Sequence, residues 1–180
     1  MNKMIKLPLF LGVVGGLCGG LLAATNYLTH DKIVSDAEKR ANAALYVHFA
    51  DAAKFEDATL SDTLTAASVT GKKNALTSDN NVMGSIYFCS VVGYAGKSTP
   101  IEFSVSIASG NVKKIVVTGA GESAAGANFI TWVGEASESD LNPTGSRADT
   151  WKATTGSSIS TKAVATAVDA CLTDYQGGTK

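Results

Sequence analysis

Cysteine is scarce and badly placed for metal. Cys18, Cys89 and Cys171 are spread along 180 residues with no CxxC pair, so the ligand spacings of zinc and iron–sulfur sites are missing. Histidine is scarcer: His30 and His48 stand far from each other and from any carboxylate cluster, and both read as structural or surface groups. A basic excess is lacking too. The net charge of -1 and a pI near 6.1 argue against nucleic acid as a partner. No general acid or base constellation stands out. Charged residues make up only 17% of the chain against 45% hydrophobic, and the apolar excess is concentrated in the first thirty residues.

Between Leu7 and Leu28 there is no charge at all. About 22 residues at 1.5 Å each span roughly 33 Å, enough for a bilayer core of about 30 Å. A transmembrane helix over 7–28 is therefore expected, after a short tail over 1–6 carrying Lys3 and Lys6. Gly12/Gly16, Gly15/Gly19 and Gly16/Gly20 form overlapping GxxxG pairs; such a face lets a second helix approach closely and points to a partner subunit. A cleaved signal peptide fits the basic start and Ala23-Ala24, but the uncharged run is longer than a usual signal core. A lipid anchor at Cys18 is disfavoured by the bulky Leu17 before it.

From Asp31 to about Phe49 the spacing of Ile33, Ala37, Ala41, Ala44, Leu45 and His48 predicts a helix, a solvated stalk leading away from the membrane span. Residues 51–81 are polar, weakly periodic, and read as short elements and surface loops. Strand signals begin near Ser85. Ile86 to Tyr94 is aromatic and β-branched. Pro100 to Ala108 alternates, with Ile101, Phe103, Val105 and Ile107 on one side and Glu102, Ser104 and Ser106 on the other. Ser109-Gly110-Asn111 marks a turn, and Val112 to Thr118 returns as a third strand. Three antiparallel strands followed by helix predict an α+β domain over 85–176, after a stalk and connecting region over 29–84.

Two phosphate-loop look-alikes are rejected. Gly96-Lys97-Ser98 lacks the earlier glycine of a P-loop, Val91 standing there. Gly119-Ala120-Gly121-Glu122-Ser123-Ala124 has the form of a dinucleotide fingerprint without the parallel strand it needs. A stronger candidate lies in Thr154-Thr155-Gly156-Ser157-Ser158, four hydroxyls around one glycine. After it Ile159, Ala163, Val164, Ala167, Val168, Cys171, Leu172 and Tyr175 recur at helical spacing. The pattern predicts a loop feeding an amphipathic helix capped by Ser158 or Ser160. A helix start of this kind suits a phosphate, and it also suits an ordinary capped helix. Trp132 and Trp151 are candidates for packing or for stacking on a ring. Cys89 and Cys171, in apolar surroundings, are expected to be two buried thiols rather than a disulfide.

The run from Thr155 to Val164 resembles the Ser/Thr-Gly-Ala-Thr-x-Ser-Ser-x-Ala-Val segment of FMN-binding domains. Such domains occur in one membrane-anchored subunit of the Rnf electron-transport complex and in a related subunit of the sodium-pumping NADH:quinone reductase. Gly93-Tyr94-Ala95-Gly96 resembles the family's Gly-Tyr-x-Gly turn, and Glu122 to Ala127 stands where the family has Glu-Thr-Pro-Gly-Leu-Gly, a loop close to the flavin. The resemblance implies a covalent FMN joined through a phosphoester at Ser158. Thr155, Gly156, Ser157, Ser160, Glu122, Ser123 and Gly126 would be further cofactor-binding positions. Two departures stand out: Ser157 replaces the usual Ala, and Lys152 replaces an Asp three residues before the motif.

The resemblance implies an electron-carrier subunit of an ion-translocating membrane complex, with a cytoplasmic tail and an extracytoplasmic domain. Its partners would be other integral-membrane subunits, membrane lipid and a flavin transferase. A free-standing surface flavoprotein is a second reading, which the glycine face disfavours. An accessory subunit that has lost its flavin is a third, kept open by Lys152 and Ser157.

Overall fold

The computed structural model describes residues 43–120 and 124–178, together with Gly12, Gly15, Gly16, Cys18, Gly19, Gly20 and Thr25. Those seven N-terminal positions are helical and exposed, and a Cβ added to any of the five glycines meets nothing within 4 Å. Among the described residues no helix is long and apolar enough to cross a membrane. The rest of the expected span over 7–28, and most of the stalk, lie outside the described residues. The chain divides into two units, residues 1–43 and 44–180.

The second unit is α+β. Its frame is a five-stranded sheet in simple sequence order: β1 (Lys54–Asp57), β2 (Val69–Leu76), β3 (Val82–Val91), β4 (Ile101–Ala108) and β5 (Asn111–Gly119). Every pairing is antiparallel, as rejection of the dinucleotide fingerprint requires. The three strands legible in sequence are the last three. The first two come from the polar stretch before Ser85, where Lys54–Glu56 and Lys73–Asp57 ion pairs replace apolar patterning. Hairpins explain the order. Ser109 and Gly110, at φ 52° and 76°, join β4 to β5 through a tight turn whose twist matches the strands.

Helices cover one face. These are α2 (Asp62–Ala66), α3 (Ala124–Glu135), α4 (Glu138–Leu141), α5 (Arg147–Thr155) and the long α6 (Ile159–Gly178). Tyr87, Cys89, Phe103, Val105 and Ile107 of the sheet pack against Phe129, Trp151, Val164, Val168 and Cys171 of the helices. Phe129, Trp132 and Trp151 form an aromatic group with ring centres 5.7 to 6.2 Å apart. Trp151 is fully buried and its indole N–H donates to the Asp140 carbonyl at 2.9 Å, so it packs the core and cannot stack on a ligand. Residues 135–149, whose sequence with Pro143 and Gly145 suggests a loop, contain α4 and the start of α5. Ser137 and Asp140 form a capping box on α4. Asn142 then completes the sheet edge: its amide accepts from the Val112 N–H and donates to the Val112 carbonyl.

The other face, to which alternation assigns Ser104 and Ser106 with Glu102, is covered at the two serines, while Glu102 is exposed. The stalk pattern that runs on to Phe49 in sequence ends as a helix at Tyr46: α1 (Ala43–Tyr46) gives way to a turn. Leu45, Phe49 and Ala52 fold down onto Ala75, Ile86 and Ala108 as a second small core. His48 comes with them. Its Nδ1 lies 3.0 Å from Ser106 Oγ and its Nε2 2.7 Å from Ser104 Oγ. Ser106 Oγ donates to the Lys114 carbonyl, which leaves it to accept from Nδ1–H while Ser104 donates to Nε2. His48 is thus a structural clamp. Burial first, and the nearby Lys114 ammonium second, push its pKa down to about 4.

Candidate functional site

The hydroxyl-rich stretch is a junction between two helices rather than a loop alone. Thr154 and Thr155 close α5; Gly156 then takes the left-handed conformation at φ 73°, donating its N–H to the Lys152 carbonyl at 2.8 Å. This is the usual αL end of a helix, which glycine adopts without strain. Only Ser157 and Ser158 separate it from α6. The first turn of α6 closes with the Lys162 N–H donating to the Ser158 carbonyl. Ser158 therefore stands at the start of a 20-residue helix. Ser160 lies inside that helix and does not cap it.

Burial and bonding sort the competing hydroxyls. Thr154 donates to the Thr150 carbonyl and Thr155 to the Trp151 carbonyl. Thr155 also accepts from the Ser157 N–H at 3.4 Å. Ser157 is buried, and Ser160 and Thr161 are fully buried. Ser160 Oγ accepts from the Tyr94 N–H at 3.2 Å, which ties the Gly93-Tyr94 turn to the junction. Ser158 differs in exposure: it is exposed, and among the described residues its hydroxyl, like that of buried Ser157, has no hydrogen-bond partner.

Strand topology brings several segments to this end of the sheet. Val91, at the end of β3, pairs with Ile101, and Glu102 pairs with Gly119. The end of β3, the start of β4 and the end of β5 therefore share one edge of the molecule with the Tyr94 turn and the Ser160 it bonds. Beside the junction an open groove of about 570 Å³ runs between the end of α2, the end of β3 and the first turns of α6. Ala67, Val92, Ile159 and Ala163 give it apolar walls, with Ser158 and Lys162 among the polar groups at its margin. Val92, Tyr94 and Ile159 are all about half exposed. Ile159, which read as part of the helix's buried face, instead presents its side chain here, while Ser160 and Thr161 of the same turn face inward and are fully buried.

The remaining expected positions fall as follows. Glu122 and Ser123 lie outside the described residues. Gly126 is in the first turns of α3, so the segment that read as a loop is helical from Ala124. Lys152 is exposed on α5. Lys162, Val92 and Ala67 were missed in sequence; only the one-turn spacing of Ser158 and Lys162 along α6 hinted at a shared face. The arrangement can chemically do two things: offer one free hydroxyl for esterification at a positive helix end, and shelter a flat apolar group beside it.

Compared with protein-family models, with curated proteins and with solved structures, the chain matches none.

Proposed function

We propose that this chain is a covalent-FMN electron-carrier subunit of an Rnf-type, ion-translocating membrane oxidoreductase complex. In this reading 7–28 anchors it in the cell membrane, the folded domain lies outside the cytoplasm, and the glycine face meets another integral-membrane subunit. The observation that carries the reading is the state of Ser158. It is the hydroxyl that the family motif marks for flavin, and it is exposed, unbonded and at a helix start. A phosphate esterified there would be favoured by the unpaired N–H groups and dipole of α6. Lys162, one turn on, would add positive charge.

The groove fits the rest of the cofactor. Its volume of about 570 Å³ and apolar walls suit a planar ring, and Val92 and Ile159 would keep water from one side of it. FMN, when bound, supplies reversible one- and two-electron transfer; the protein's part is to hold and tune it. Ser158 would hold the phosphate end, Gly156 would shape the turn that presents it, and the Tyr94–Ser160 bond would fix the junction against the sheet.

A second reading is an accessory subunit without flavin, and Lys152 in place of the motif's Asp favours it. One experiment separates the two: production with a flavin transferase and detection of covalent flavin by fluorescence in a denaturing gel. Ser158→Ala should lose the fluorescent band while the domain still folds. Ser158→Thr should keep it, and alanine at Thr155, Ser157 or Ser160 should leave it in place. A band that survives Ser158→Ala would put the attachment elsewhere; a parent chain with no band would favour the accessory subunit.

A further inference from the structure

Cys89 on β3 and Cys171 on α6 are the two free cysteines of the domain, and both are buried. Their burial is what the apolar surroundings predict, but the fold adds what spacing along the chain conceals. Their sulfurs touch, at 4.0 Å. The pair sits where α6 crosses the sheet, and a polar lock lies beside it. Asp174, one turn beyond Cys171, accepts from the Tyr87 hydroxyl at 2.9 Å and from the Lys72 ammonium at 2.7 Å. Tyr87 is two residues before Cys89 on the same face of β3. Lys72 is only 5.2 Å from the centre of the Tyr87 ring. Strand β2, strand β3 and helix α6 are thereby fastened together within one turn of the thiols, and each sulfur is held facing the other.

We propose that Cys89 and Cys171 form a reversible disulfide that staples α6 to the central sheet when the chain meets a small-molecule disulfide oxidant. A disulfide needs sulfurs about 2.05 Å apart, so closure asks the two side chains to approach by about 2 Å. The chemistry is thiol–disulfide exchange. One thiolate attacks the oxidant R–S–S–R, joins one of its sulfurs and releases RS⁻. The second thiolate then attacks the protein sulfur of that mixed disulfide and releases the other RS⁻. Two S–H bonds are lost and one S–S bond forms. The oxidant's own S–S bond is broken and takes up the two electrons; the two protons pass through solvent to the released RS⁻, giving two thiols RSH.

Access, not geometry, is the barrier. Contact with Cys89 and burial hold the Cys171 thiol well above its ordinary range, so the folded dithiol reacts slowly. During folding both thiols are open, and the native topology then brings them together. The loop they close spans most of the domain, where constraint of the unfolded chain is large. The bond depends on this contact alone and is independent of the flavin reading.

The test uses the full-length chain in mild detergent, unfolded in urea with reductant and refolded with reduced and oxidised glutathione. Peptide mapping then reports which cysteines are joined. Native refolding should give Cys89–Cys171 pairing at least ~10-fold over any pairing with Cys18, whereas oxidation in urea should distribute the three pairs by loop length alone. The joined form should melt higher than the dithiol form by on the order of 10 °C, a gain reversed by reductant. Three cysteines that all still alkylate after refolding would overturn the proposal. So would the urea distribution under native conditions, or a joined form that melts below the dithiol.

Discussion

His48 shows how one side chain can decide the fate of a strand face. Ser104 and Ser106 alternate with the apolar residues of β4 as water-facing positions do, yet both are buried beneath the imidazole that bonds them. The site favours a neutral ring, since burial strips water from a charged imidazolium and the positive charge of Lys114 adds to the cost. The pKa near 4 against an ordinary value of 6.5 records this. The folded state therefore refuses a proton that the unfolded state accepts below pH 6.5. Stability from His48 should be complete above that pH, fall as pH drops toward 4, and level off below, with a total loss of up to roughly 3 kcal/mol. Urea unfolding at pH 7, 5.5 and 4 measures it. In His48→Gln the slope across this window should be absent; an equal slope in parent and variant would show that other groups cause it.

At the scale of elements, the second core depends on a glycine. Phe49 lies against β3 at Gly84, where an added Cβ would come 2.4 Å from the ring and 2.8 Å from the Ile107 carbonyl. The ring end can turn away, but the carbonyl belongs to the β3–β4 ladder and cannot. Gly84→Ala should therefore cost about 1–3 kcal/mol, the usual range for overpacking. Gly71→Ala provides the comparison: its Cβ would meet the Phe88 ring at 3.3 Å, with no backbone atom in the way. Its cost should be clearly smaller. Thermal melts of both variants decide the matter, and equal losses would mean that the carbonyl contact is not the cause.

For the whole molecule, the division at residue 43 separates an N-terminal unit from a domain with its own sheet, helices and two cores. Among the described residues, both cores are built from Leu45 onward. A chain of residues 44–180 should accordingly fold alone, with a single cooperative thermal transition and fixed near-ultraviolet circular dichroism. A broad, uncooperative melt would show that the N-terminal unit is needed for folding. Such a domain would also allow the Ser158 series to be measured without detergent.

Read alone, the sequence already determined the α+β class, the β3–β4–β5 meander and the long C-terminal helix, because each rests on local signals. These are strict alternation from Ile101 to Ile107, a Ser-Gly turn, and apolar residues every three or four positions after Ser158. The glycine-centred hydroxyl run was legible for the same reason: turn chemistry is written in neighbouring residues. The tertiary structure decided what local patterns cannot carry. Strands β1 and β2 are held by pairing and by ion pairs with little apolar alternation of their own. Trp151 went to the core and Ile159 to the surface because packing against the neighbouring elements, not helical spacing alone, sets which side chains of a helix are covered. The contact of Cys89 with Cys171 and the clamp of His48 on Ser104 and Ser106 join residues far apart in the chain. Only the order in which strands and helices stack brings such side chains within bonding distance, and that order is a property of the assembled fold.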